Sequence, residues 1–352
     1  MRRIAIRIAK ILAGIAGALI GLALLVFAGF YAASIWRESL PPGRNGQAGQ
    51  YLQADGLDIH YKQWGPDSGQ AILLIPGAMA WSETWAPIAE RLGADGFRVI
   101  APDLPPFGYS ERPASGDYSR AAQARRILAF ADAADLKQFV LLGHSFGGGA
   151  TMETALSSPD RISGLVLLDV ALGLGRPPSK PPLAPLFSAP GLREAVMAAT
   201  FTNPLMIGKG LRDFVADDDA VATPERIEVY RRPLVVKGTS HAVADWFVTG
   251  LFGNEEASRA FKPENYAGFQ KPALIIWGKE DSVTPLAQGD EIAHLLPNSQ
   301  LSVLDGVNHI PQIEAPEKTA GLIAGFVASL QTSSIACTPL RGLPYSTRPD
   351  GC

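Results

Sequence analysis

The chain of 352 residues is 47% apolar and 18% charged, and its 31 basic and 34 acidic side chains leave a formal charge of −3. That composition provides for one large or two modest packed domains and excludes wholesale disorder. Two cysteines exclude a disulfide framework, and the lack of a basic excess argues against nucleic acid as a partner.

The charge is unevenly placed, since Arg2, Arg3, Arg7 and Lys10 are the only charged residues before Arg37. From Ile11 to Ile35 the chain carries no charge. As a helix this run would reach about 37 Å, enough for a hydrocarbon core of about 30 Å. Residues 1–36 are therefore expected to form a basic N-terminus and a transmembrane helix that meets the membrane through residues 11–35, with Tyr31 and Trp36 at the far interface. The basic flank predicts a cytoplasmic N-terminus and a domain outside the cytoplasm. The alternative is a signal cut near Ala28 or Ala33, giving a secreted or periplasmic protein, although the run exceeds a usual signal core of about 7–15 residues. Gly17 and Gly21 have the spacing that lets membrane helices approach closely, too weak a signal to fix an oligomeric state.

Residues 37–50, RESLPPGRNGQAGQ, read as a solvated linker, and the folded domain is expected over 51–330. There, short apolar runs (Ala71–Ile75, Arg98–Ala101, Phe139–Leu142, Gly164–Leu168, Ala273–Trp277, Gln300–Leu304) alternate with helical patterns. Continuous apolar strands separated by helices predict a mostly parallel sheet covered on both faces. Trp85, Ile88, Ala89 and Leu92, ending at Gly93, form one helical stripe, and Leu322, Ile323, Phe326, Val327 and Leu330 another. The interval 171–271 opens with the Pro-rich RPPSKPPLAP and lacks strand patterns, which predicts a helical cap. Residues 331–352 read as a flexible tail, in which Cys337 and Cys352 either pair or stay free.

Gly143-His144-Ser145-Phe146-Gly147 follows a predicted strand and opens a helical stretch, the setting of a strained strand-to-helix turn that exposes a serine hydroxyl. A serine needs a base to attack, and the base needs an oriented carboxylate. His309, in GVNHIPQIEAP, and Asp281, in WGKEDSVTP, each lie just beyond a later predicted strand. Asp169, after LVLL, is the second choice for the acid, and Asp103 reads as structural. His144 is expected to pack beside the nucleophile, while His60, His241 and His294 read as packing or surface residues. Asp217-Asp218-Asp219 reads as a solvated helix start rather than a cation site. Without metal-ligand spacing or a dinucleotide motif, no metal and no cofactor are expected.

Together with IPGAMAWSETW and PDLPPFGYSERP, these motifs in this order resemble the α/β-hydrolase superfamily, in its capped, single-domain branch, from about Tyr51 to Leu330. The resemblance implies a Ser145, Asp281, His309 triad and an oxyanion hole from the amides of Ala78 and Phe146, with Met79 as the fallback donor. Pro76-Gly77 stands where relatives carry His-Gly, and Pro106 where they often carry Gly.

The leading expectation is a serine hydrolase that cleaves a lipophilic carboxylic ester or acylglycerol through an acyl-enzyme, its partner a small lipophilic molecule. The resemblance also admits a meta-cleavage carbon–carbon hydrolase, for which Arg231 and Arg232 are weak candidates to bind a substrate carboxylate, or a cofactor-free haloperoxidase. A non-enzymatic ligand-binding protein is the minor alternative. Acyl-chain length and natural substrate are not legible in the sequence.

Overall fold

The computed structural model describes residues 2–46, 48–176, 189–253 and 255–336. Eight strands form one sheet in the order β1-β2-β4-β3-β5-β6-β7-β8. They are β1 (Gln50–Ala54), β2 (Leu57–Trp64), β3 (Ala71–Ile75), β4 (Arg98–Pro102), β5 (Phe139–His144), β6 (Ile162–Leu168), β7 (Ala273–Gly278) and β8 (Ser299–Leu304). β1 and β2 pair antiparallel and join β4 antiparallel, and every other pairing is parallel. The β1–β2 hairpin, absent from the sequence-based strands, turns at Asp55-Gly56, both at positive φ, as a tight two-residue hairpin requires.

The helices are α1 (Arg2–Arg37), α2 (Ala86–Ala94), α3 (Arg120–Ala133), α4 (Gly147–Ser157), α5 (Pro190–Ala199), α6 (Pro204–Asp213), α7 (Asp218–Val221), α8 (Pro224–Arg231), α9 (Thr239–Trp246), α10 (Leu286–Leu295), α11 (Pro311–Glu314) and α12 (Pro316–Ala336). Successive side chains of a strand point to opposite faces, so Ile72 and Leu74 of β3 pack with α2 and α12, while Leu73 and Ile75 pack with α3, α4 and α10. Both expected stripes serve this purpose: Ile88, Ala89 and Leu92 of α2, and Ile323 and Val327 of α12, are fully buried. Each such aliphatic side chain contributes roughly 1.5–3 kcal/mol.

Between β6 and β7 the described residues form helices α5 to α9 and short turns, without a strand. The Pro-rich stretch from residue 177 to 188 lies outside the described residues, as do both cysteines. α12 continues to Ala336, so the first residues of the expected tail are helical.

α1 is long and apolar enough to cross a membrane by length and composition. The segment after it departs from a solvated linker. Glu38 is only 8% exposed, its carboxylate accepting hydrogen bonds from the Ser240 amide at 3.2 Å and hydroxyl at 2.5 Å. Leu40 bridges Val236 in parallel, and Arg44 pairs with Asp58 at 2.9 Å. Composition marked these residues as polar, but the partners of Glu38 and Leu40 lie some 200 positions away, where local patterning does not reach.

Candidate active site

The strand order reverses between β3 and β5, because the chain leaves β3 toward β4 on one side and β5 toward β6 on the other. A crevice opens at such a switch point beyond the carboxyl ends of the strands. Ser145 stands directly after β5, and the Pro76–Ala80 loop directly after β3.

The turn at Ser145 is sharp. Its φ of 49° lies in the left-handed region, which costs a non-glycine residue energy unless its surroundings enforce it. The two flanking glycines make the turn possible. A Cβ at Gly147 would sit 2.3 Å from the Pro76 carbonyl oxygen, and one at Gly143 would sit 2.2 Å from Thr151 Oγ1. Helix α4 therefore starts hard against the end of β3, with the hydroxyl of Ser145 above its first turn.

Ser145 Oγ is 2.8 Å from His309 Nε2, and His309 Nδ1 is 2.8 Å from Asp281 Oδ2. His309 is 2% exposed and Asp281 6%. Burial pushes the Asp281 carboxyl up, but hydrogen bonds from His309 and Thr284 outweigh it and leave the group below its ordinary range. Thr284 was not singled out from the sequence, yet its hydroxyl donates to Asp281 Oδ2 at 2.7 Å and its amide to Oδ1 at 2.8 Å. The amide of Val283 adds a further bond at 2.7 Å. Its signal was the Ser-Val-Thr run after Asp281, a setting in which an aspartate caps its own turn.

Asp169, the second choice for the acid, is fully buried at the end of β6 and accepts the Gly278 amide at 2.8 Å. Burial and the neighbouring Asp281 carboxylate raise its pKa well above the usual carboxylate range. Its Oδ2 has no hydrogen-bond partner among the described residues.

His144 bridges the two sides of the crevice. Its Nε2 lies 2.8 Å from the His309 carbonyl oxygen, and a Cβ on Gly77 would fall 2.9 Å from its Nδ1. Burial pushes its pKa down to about 3, so the ring is neutral and donates through Nε2. The amides of Ala78, Met79 and Phe146 have no acceptor among the described residues. Ala78 and Phe146 flank the crevice, one after β3 and the other at the start of α4, and Met79 has a φ of 60°.

An apolar cluster roofs this floor: Ala78, Met79 and Phe146 from below, Phe107, and Met197, Trp246 and Phe247 from the inserted helices. Trp246 meets Phe146 edge-on at 5.0 Å and Phe107 at 5.2 Å. Phe214 packs edge-on to the His309 ring at 5.7 Å, and its carbonyl oxygen accepts the His309 amide at 3.1 Å. Glu314 secures the same loop by accepting the amides of Asn308, Ile310 and Ala216. Neither Phe214 nor Glu314 was legible as a site residue, because each acts through the fold and not through a motif.

The remaining candidates lie elsewhere. Asp103 is fully buried and accepts from the amides of Ser82 and Tyr109 and faces His60 Nδ1 at 2.9 Å. Asp217 caps α7 through the Ala220 amide. His241 faces Glu194 at 2.8 Å, and His294 the Asp290 carbonyl oxygen at 2.6 Å. Arg231 donates to the Pro204 carbonyl at 2.8 Å, and Arg232 is exposed.

The chain is 34% identical over 238 residues to 2-hydroxymuconate semialdehyde hydrolase of Pseudomonas putida, covering 66% of this chain and 77% of that one. It is 25% identical over 286 residues to Lipase 1 of Psychrobacter immobilis, 79% of this chain and 83% of that one. The solved structure of a membrane phospholipase A superposes with a TM-score of 0.63 at 24% identity, covering 94% of this chain and 99% of that one. The family profile described as the alpha/beta hydrolase fold matches residues 70–316, and with the reversed sheet and the Ser145 turn it establishes that this chain belongs to that family.

Proposed function

We propose that this protein is a serine hydrolase of lipophilic carboxylic esters or acylglycerols, anchored in a membrane by α1 with its N-terminus cytoplasmic and its hydrolase domain outside the cytoplasm. The observation that carries the reading is the unbroken hydrogen-bonded chain from Ser145 through His309 to Asp281 beneath an apolar roof. Ser145 Oγ attacks the ester carbonyl while His309 Nε2 takes its proton. Asp281, kept ionised by its lowered pKa, holds the His309 tautomer and stabilises the imidazolium. The oxyanion is received by the amides of Ala78 and Phe146, which have no other acceptor to leave. His309 then protonates the leaving alcohol, and water attacks the acyl-enzyme by the reverse route. Residues 171–271 form the cap, whose aromatic side chains suit an acyl chain.

The Pseudomonas putida relative supports a second reading, carbon–carbon bond hydrolysis with the same three residues. That chemistry calls for a cation facing the substrate carboxylate, and Arg231 and Arg232 are turned to a backbone carbonyl and to solvent. Arg112, beside Met79 in a small crevice, is occupied as a strut: it donates to the carbonyls of Ser110 and Gly108 and to the Thr239 hydroxyl. The ester reading is therefore preferred.

The test is to treat full-length protein and Ser145→Ala with a fluorophosphonate probe and with p-nitrophenyl esters of graded chain length. Wild type is expected to label and turn over, and the variant to lose both, with a fall in turnover of about a thousandfold or more. Labelling without turnover of any ester, together with turnover of 2-hydroxymuconate semialdehyde, would transfer the assignment to carbon–carbon cleavage.

A further inference from the structure

Large apolar side chains left exposed on the hydrolase domain are concentrated in the cap. Leu205 is 72% exposed, Met206 44%, Phe214 42%, Phe201 40% and Val235 37%, while the rest of the domain contributes only Val283 and Val303 among the described residues. Phe201 follows α5, Leu205 and Met206 open α6, and Val235 precedes α9. Phe201, Leu205 and Met206 fall within six residues, and exposed apolar surface gathered in this way marks a contact with a partner or a membrane.

The position of the patch relative to α1 selects between those partners. One face of α1, Phe27, Phe30, Tyr31, Ser34 and Arg37, is withdrawn from solvent. It packs on α5, with Tyr31 donating to Glu194 at 2.9 Å and Arg37 to the Leu234 carbonyl at 3.1 Å. The uncharged part left free of the cap, Ile11 to Val26, measures about 24 Å at about 1.5 Å per residue, so a hydrocarbon core of about 30 Å reaches the first turns that pack on α5. The cap thus meets α1 at the edge of the span. On the other face of these last turns, Ile35 and Trp36 stay 61% and 86% exposed, and a tryptophan at that depth belongs to the interfacial layer.

We propose that the apolar end of the cap, centred on Phe201, Leu205 and Met206, is a second membrane contact seated in the interfacial layer of the bilayer that α1 crosses. This rests on the reading of α1 as a span. Arg232 and Lys237, both exposed on either side of Val235, face the phosphate layer, where each basic residue adds to binding. The contact also gives the substrate a dry route. Phe201 touches Trp246 at 6.4 Å and Phe247 at 6.0 Å, and Trp246 touches Phe146 beside Ser145. An acyl chain leaving the bilayer passes along aromatic rings to the nucleophile, so the substrate class is a lipid resident in the membrane rather than an ester dissolved in water.

The test reconstitutes the full chain in phosphatidylcholine vesicles that carry a diazirine-labelled acyl chain and maps the cross-linked peptides. Cross-links on residues 200–214 as well as on α1 are expected, and cross-links confined to α1 would overturn the proposal. Cross-links from 200–214 to a second copy of the chain, without lipid, would overturn it in favour of self-association. Replacing Leu205→Glu and Met206→Glu together is expected to lower turnover of a vesicle-embedded ester by about tenfold. Turnover of p-nitrophenyl acetate should stay within about twofold, because neither side chain belongs to the site. An unchanged rate on the embedded ester would also overturn the membrane contact. Absence of turnover of both esters by wild type would sink the hydrolase reading alone, since the cross-linking pattern still decides the surface.

Discussion

The floor of the crevice and its roof are held by different kinds of bond. The floor is backbone: Ser145, His309 and Asp281 follow strands of one sheet, and their loops are tied by amides to Glu314, Asp281 and Asp169. The junction of cap and α1 rests on a few side chains, Glu38 to Ser240, Tyr31 to Glu194 and Arg37 to Leu234, and on one short backbone bridge, Leu40 to Val236. A change in the floor displaces packed backbone, whereas a side-chain change at the junction costs a few hydrogen bonds.

Gly147→Val should break the floor with the largest effect after loss of the nucleophile. Its Cβ would enter the Pro76 carbonyl, and moving Ser145 by about 1 Å lowers the rate on soluble esters by about a hundredfold. A variant that keeps the wild-type labelling rate would show that the β3 loop gives way freely. At the junction, Glu38→Ala strands the Ser240 amide, costing about 1–3 kcal/mol. Amide hydrogen exchange around Ser240 should rise in the full-length protein, while Ser145 labelling slows far less than in Gly147→Val. Equal losses in the two variants would erase the distinction between floor and junction.

The smallest effect is expected at Asp169→Asn, which keeps the shape and an acceptor for the Gly278 amide, so activity should stay within about threefold. Its influence is on stability. Unfolded, Asp169 titrates near about 3.9, whereas folded it keeps its proton to higher pH. Between those values the folded state binds more protons, so wild-type stability falls as pH rises through the window. Asparagine does not titrate. The Tm advantage of the variant should therefore grow from about pH 4 upward and narrow below it. A constant offset across pH would mean that Asp169 is ionised in the fold.

The parallel strands were legible because burial on both faces leaves unbroken apolar runs, such as Ala71–Ile75 and Ala273–Trp277. β1 and β2 were missed because QYLQA and LDIHYKQW mix polar with apolar residues, β1 at the open sheet edge and β2 with Asp58 and His60 among its buried positions, although Asp-Gly between them is a hairpin signal. The meeting of Ser145, Asp281 and His309 was readable from three strand-end motifs. Their supports were not: Phe214 arrives from the helices between β6 and β7, and Glu314 acts through the backbone amides of Asn308 and Ile310.

Phe214 gives the base an unusual dependence. The residue that lays its ring on the His309 imidazole also holds the His309 peptide through its own carbonyl, and it belongs to the segment that roofs the crevice. Lifting that segment to release product would strip the imidazole of its ring contact and its peptide of an anchor in one movement.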